Sequence, residues 1–310
     1  MKNILIIGGT GFVGGAIARR LASADFSAST LTLPTRRRNR SREHLVLPTA
    51  TVVEADVHDP ATLMRLMQGK DAVINLVGIL RGNFQRAHAE LPAKIAVAAK
   101  TAGVRRVMHV SALKAAADAP SDYLRSKAAG EAALKAANLD LTIFRPSVIF
   151  GQGDSFLTLF AQLAKIAPVF PLACADARFQ PVWIEDVANS VVDSLSRPES
   201  IGQTYDLCGP KQYSLRELVR YAAATAGTPR PVLGLPGAIG WLQAWAMEFV
   251  PNGPMTRDNI RSMQIDSVCD AACSLPFGAV ATALEAVAPG YLCDGRARAG
   301  NDHARMIARR

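Results

Sequence analysis

The chain opens on a short apolar run, Ile4-Leu5-Ile6-Ile7, that stops at Gly8-Gly9-Thr10-Gly11-Phe12-Val13-Gly14. No other feature limits the fold as tightly. A run that is apolar at every position suits a strand buried on both faces. A GxxGxxG between such a strand and a helix has a mechanical reading. Gly8 permits the tight turn, Gly11 lets the backbone approach a pyrophosphate, and Gly14 allows close helix–strand packing. Thr10, Phe12 and Val13 belong to the same turn, whose free N–H groups and helix dipole favour a phosphate.

The rest of the first half repeats the alternation. Strands are expected at Ser29–Leu33, Thr51–Glu54, Ala72–Val77, Arg106–Val110 and Leu141–Phe144. Helices are expected from Phe12 to Ala22, after Asp59-Pro60, from Glu90 to Ala102 and from Tyr123 to Ala137. Strand and helix alternating at this pitch predict right-handed crossovers and a doubly wound, Rossmann-type α/β fold with a parallel sheet. After Phe150 the pattern loosens. Residues 1–150 are read as a dinucleotide-binding domain to which 178–200 return. Residues 151–177 and 201–295 are read as a smaller, irregular C-terminal substrate domain, and 296–310 as a basic tail.

Ligands of open α/β sheets bind at the carboxyl ends of the strands. That places Asp56-Val57, after the third strand, and Asn75-Leu76-Val77-Gly78, ending the fourth, on the walls of the cofactor site. The second strand ends in Leu33-Pro34-Thr35-Arg36-Arg37-Arg38, with no acid for a ribose 2′-hydroxyl. A guanidinium there pairs with a 2′-phosphate, so Arg36 and Arg37 predict NADP(H) in preference to NAD(H). Tyr123 and Lys127 stand at i, i+4 and share a helix face. An ammonium beside a phenol lowers its pKa towards general acid/base use. Ser111, closing the preceding strand, completes the catalytic set.

Composition narrows the alternatives. The hydrophobic share of 49% excludes a disordered chain, and an aromatic share of 6% argues against a stacking platform for nucleic acid. The net charge of +9 favours anionic partners. Five scattered cysteines without a CxxC pair predict reduced thiols, and no metal site is expected. The opening apolar run is too short for a secretory segment, so a cytoplasmic chain is expected, with a peripheral place at the inner membrane face as the alternative. Trp241, Leu242, Trp245 and Phe249, within Ala238–Val250, share a helical stripe. It is read as core packing of the smaller domain; a pocket wall and an interfacial membrane helix are the other readings.

GGTGFVG at 8–14, NLVGIL at 75–80, HVSAL at 109–113, YLRSKAAGE at 123–131, FRPSVIFGQGDSF at 144–156 and FQPVWIEDVA at 179–188 together resemble the extended short-chain dehydrogenase/reductases. More narrowly, the chain resembles the atypical group that includes the Rossmann-fold accessory subunit of mitochondrial respiratory complex I. Bacterial relatives of that group are labelled nucleoside-diphosphate-sugar epimerases. The resemblance runs to about Leu292. It implies that Tyr123 and Lys127 face the nicotinamide ribose, and that Pro146, Ser147 and Val148 line the nicotinamide side. It also implies an oxidoreductase of unnamed small-molecule substrate. In active extended members a Ser or Thr follows the serine that closes the strand, whereas here Ala112 follows Ser111. Two alternatives therefore stand beside the oxidoreductase: a non-catalytic NADP(H)-binding subunit or sensing element of a membrane-associated redox complex, and a nucleotide-sugar epimerase or dehydratase.

Overall fold

The computed structural model describes residues 2–23, 29–38, 46–250, 253, 255–270 and 274–293. Arg40, Arg42 and the basic tail lie outside the described residues. The predicted alternation is present: β1 (Asn3–Ile7), α1 (Phe12–Leu21), β2 (Thr30–Thr35), β3 (Ala50–Glu54), α2 (Pro60–Met67), β4 (Ala72–Asn75), α3 (Leu91–Ala102), β5 (Arg106–Val110), α4 (Asp122–Lys135) and β6 (Asp140–Pro146). With Thr204–Leu207 these six strands form a seven-stranded sheet in the order Thr204–Leu207, β6, β5, β4, β1, β2, β3. Every neighbouring pair is parallel. The chain winds outward from β1 to β3, then returns to β4 on the other side of β1. That reversal opens a crevice at the carboxyl ends of β1 and β4.

Local chemistry explains the boundaries. Asp59 caps α2 by accepting from the Thr62 N–H, with Pro60 in the first turn. Ser121 does the same for α4 through the Leu124 N–H. β4 stops at Asn75, two residues short of the expected end, because the Asn75 side chain accepts from the Val77 N–H and turns the chain. Before α3 the backbone runs through a wider π-helical turn, Gln85–Glu90, which apolar periodicity does not reveal. Leu5, Ile7, Met67, Val73, Ile95 and Val107 are fully buried in the core between the sheet and α2 and α3.

The chain divides into two compact units. The first comprises Met1–Ser147, Ile184–Cys208 and Cys269–Ala281; the second comprises Val148–Trp183, Gly209–Val268 and Thr282–Arg310. In the first unit α6 (Ile184–Leu195) packs against α1. The second unit holds α5 (Leu157–Ile166), α7 (Leu215–Thr225) and α8 (Gly237–Glu248), with three two-stranded pairs. Its core gathers Phe150, Leu157, Leu218, Ala222, Leu284 and Leu292.

Two expectations are corrected. The thiols are not all reduced: Cys208 and Cys269 form a disulfide within the first unit. They stand 61 residues apart, and the fold brings their Cα atoms to 6.1 Å, which spacing alone does not show. The stripe on α8 does not pack into the core of the smaller unit. Gly240 and Ala244 are its buried residues, while Trp241 and Trp245 are exposed, Leu242 is 60% exposed and Phe249 72%. The helix is set down on its small side, since a Cβ on Gly240 would stand 2.8 Å from the Ala173 side chain. Among the described residues no helix is long and apolar enough to cross a membrane, and none of their side chains cluster as a metal site.

Candidate active site

The glycine loop forms a cradle where β1 gives way to α1. Gly8 adopts φ +83°, the left-handed region, and a Cβ there would lie 3.2 Å from the Leu76 carbonyl carbon. A Cβ on Gly14 would overlap the Gly8 carbonyl oxygen. Both positions therefore require glycine. No side chain caps the α1 N-terminus at Gly11, so the first N–H groups of Phe12, Val13 and Gly14 have no intrahelical acceptor. These features fit a pyrophosphate. Thr10 Oγ1 donates to Thr35 Oγ1 at 3.4 Å, joining the cradle to the end of β2, where Arg36 and Arg37 are exposed.

Sequence reasoning missed a cluster of cations next to that end. His58 is held below the usual imidazole range, first by burial and then by the Arg86 guanidinium; Lys94 and Arg36 act in the same sense and Asp56 opposes them. Lys94 Nζ donates to the His58 carbonyl at 2.9 Å, and Arg86 lies 3.9 Å from the Asp56 carboxylate. Asp56 also accepts from the His58 N–H, the loop-capping role open to an acid after a strand. Arg36, Arg86 and Lys94 thus make this edge of the crevice electropositive. Arg86 sits in the π-helical turn, so no regular spacing announces it.

At the other side of the crevice the catalytic candidates meet the strand ends. Lys127 is buried, and its Nζ donates to the carbonyls of Val110 at 3.1 Å and Val77 at 3.3 Å. A Cβ on Gly78 would stand 3.6 Å from the same nitrogen. Desolvation pulls the Lys127 ammonium down to about 8, opposed by the negative charge of Glu131. Glu131 is itself buried in a bidentate pair with Arg145. Desolvation pushes the Tyr123 phenol up to about 12, above its ordinary value rather than below it. The Lys127 ammonium is engaged by two backbone carbonyls.

Tyr123 is held by residues to which the sequence assigned no role. Its ring meets His88 edge-on at 5.4 Å and Phe84 at 5.9 Å. His88 Nε2 accepts from the Ile79 N–H at 3.0 Å, which makes Nδ1 the protonated nitrogen; that nitrogen donates to Ser126 Oγ, also at 3.0 Å. Ser126 passes the chain on to the Tyr123 carbonyl at 2.8 Å. His88 thereby ties the Gly78–Ile79 loop to α4, and desolvation takes its imidazole down to about 3, with Lys127 adding to the effect.

Ser111 is buried, and its Oγ has no hydrogen-bond partner. Such an orphan acceptor and donor fits a site that a ligand completes. Ala112 is buried with Ala119, Leu124 and the edge of Tyr123, where a hydroxyl would have to be desolvated. Asn75 is fully buried, its amide 3.1 Å from His109 Nδ1, so its side chain fixes the strand end and leaves the backbone of Leu76 and Val77 facing the cradle. Val57 packs into the core, and Pro146 accepts from the Leu113 N–H at the end of β6. Val148 begins the second unit.

Residues 8–155 match the NAD(P)H-binding family. The chain is 33% identical over 226 residues to the mouse mitochondrial NADH dehydrogenase (ubiquinone) 1 alpha subcomplex subunit 9, covering 70% of this chain and 59% of that protein. It is 30% identical to a ceramide reductase from Caulobacter vibrioides over 239 residues, 75% of this chain and 73% of the relative. The chain belongs to the extended short-chain dehydrogenase/reductases. Their fold recurs in a solved NADPH-dependent quinone oxidoreductase from Escherichia coli complexed with NADPH, with TM-score 0.77, 23% identity, 93% of this chain and 99% of that one.

Proposed function

We propose that this short-chain dehydrogenase/reductase is an NADPH-dependent reductase in which Tyr123 is the proton donor. One observation carries the reading: the Lys127 ammonium is held between the Val77 and Val110 carbonyls, one helical turn from Tyr123, beside the glycine cradle. The cradle and Lys127 would hold the cofactor, with Arg36, Arg37 and Arg86 at its 2′-phosphate end. When bound, NADPH supplies a hydride. Tyr123 keeps its proton at neutral pH and is placed to give it to a substrate oxygen that gains negative charge. Lys127, charged below about pH 8, stabilises the phenolate left behind. Ser111 Oγ offers a second contact to that oxygen. A carbonyl or quinone compound is the substrate class, in line with the names of the ceramide reductase and the quinone oxidoreductase.

The buried methyl of Ala112 and the mitochondrial relatives favour a second reading, a nucleotide-binding subunit without turnover in a redox assembly. Single-turnover oxidation of NADPH against quinones, ketones and ceramide-type lipids separates the two. Turnover that falls about 10²-fold or more in Tyr123→Phe supports the reductase. Silence across the panel, unchanged by that substitution, leaves the non-catalytic reading. The cofactor preference is tested by titration: NADPH binds more tightly than NADH, and Arg36→Ala narrows the gap. Equal affinities in the wild type refute the preference.

A further inference from the structure

We propose that the face built by α8 and the adjoining strand pair, Phe170–Leu172 with Val232–Gly234, docks on an anionic lipid bilayer. The proposal is independent of the reductase reading. Gln243 of α8 donates to the Pro171 carbonyl at 2.8 Å, and Gly240 lies against Ala173, so helix and strand pair form one surface. In register, Leu233 faces Pro171, and both are exposed, Leu233 by 58%. Ile239, Leu242, Trp245 and Phe249 extend the surface along the helix, where the Trp245 and Phe249 rings pack edge-on at 5.1 Å. Monomeric proteins rarely expose so continuous an apolar patch without a partner.

The chemistry of the face selects its occupant. From Pro231 to Val250 the sole charged residue is Glu248, and Arg257 neutralises it through hydrogen bonds from its backbone and guanidinium. Gln243 Nε2 is spent on Pro171, and its Oε1 is buried away from the surface. A protein partner would be met by about one hydrogen bond per 100–200 Å², and this face offers almost none. A bilayer interface requires none; it favours tryptophans, whose rings sit at headgroup depth with the indole N–H turned to water. The surroundings of the patch are basic. Arg261 lies over the Trp241 ring at 5.4 Å, Lys165 precedes the exposed Ile166, and Arg230 is anchored to the Ala164 carbonyl two residues before Val232. An apolar face with basic residues around it supplies the two signals that peripheral attachment needs.

Full-length protein is sedimented with vesicles of phosphatidylcholine, with and without phosphatidylglycerol, and tryptophan emission is recorded. Binding to the anionic vesicles with a blue shift is expected, about tenfold weaker on phosphatidylcholine alone. It should be lost in Trp245→Glu/Phe249→Glu, whose circular dichroism and melting temperature should match the wild type. Leu242→Glu repeats the test at a second exposed position if the double variant melts early. The proposal is overturned by absent binding, by equal binding to neutral vesicles, or by binding that these variants retain. Light scattering that shows a dimer dissolved by the same substitutions overturns it too, since a second copy would then cover the face.

Discussion

Lys127 and His88 show how much of the chemistry rests on single desolvated groups. Lys127 is charged below about pH 8 and neutral above it, so the attraction it offers to an anionic cofactor is present at neutral pH and fades as pH rises. NADPH affinity measured from pH 6 to 10 should fall through that region, and Lys127→Met should titrate flat there. His88 works with the opposite pH sense, on stability. Its folded pKa of about 3 lies below the unfolded value near 6.5, so the unfolded chain binds the extra proton between those limits. Its contribution is fully present above about pH 6.5 and is lost as pH falls, by about 2 kcal/mol at pH 5. Urea melts at pH 7 and pH 5 should show that loss, and His88→Gln should flatten it. An unchanged slope in the variant would remove His88 from this role. Tyr123 and Lys127 were legible from their spacing. His88 and Phe84 were not, because contacts across the π-helical turn follow no sequence period.

At the level of elements, α4 meets the π-helical turn at Gly130. A Cβ there would overlap the His88 carbonyl oxygen and stand 3.0 Å from Pro92 Cγ. Backbone is what it would strike, so no rotamer change relieves the clash. Gly130→Ala should destabilise by about 2–4 kcal/mol and lower the melting temperature by several degrees. It should also weaken turnover, since the same contact holds the ring of Tyr123. Melting and Tyr123-dependent rate measured side by side check both effects. The strands and helices around the crevice were readable because buried strands and capped helices write their chemistry locally, as Asp59-Pro60 does. The end of β4 was misplaced by two residues because a side chain, Asn75, decides it.

Across the whole molecule, the chain leaves the first unit at Cys208 and re-enters it at Cys269, so the disulfide closes the loop at the point of exit and return. A cross-link spanning 61 residues stabilises by up to about 4 kcal/mol through the entropy it removes from the unfolded chain. Cys208→Ser/Cys269→Ser should melt several degrees lower, and peptide mapping without reductant should recover the linked pair from the wild type. The bond packs with Leu113, which follows Ser111 and Ala112 in the chain, so the double variant should also loosen that segment.

Sequence alone determined the alternation of strand and helix from β1 to β6, the glycine cradle and the Tyr123/Lys127 pair, because each depends on residues within a few positions of one another. Tertiary structure alone decided the rest. It brought Arg86 and Lys94 beside His58, placed His88 against Tyr123, joined Cys208 to Cys269 and turned the apolar side of α8 outward. In each of those cases the deciding neighbour is distant in the chain, and at Gly130 and Gly240 it is the absence of a Cβ that lets the two surfaces meet.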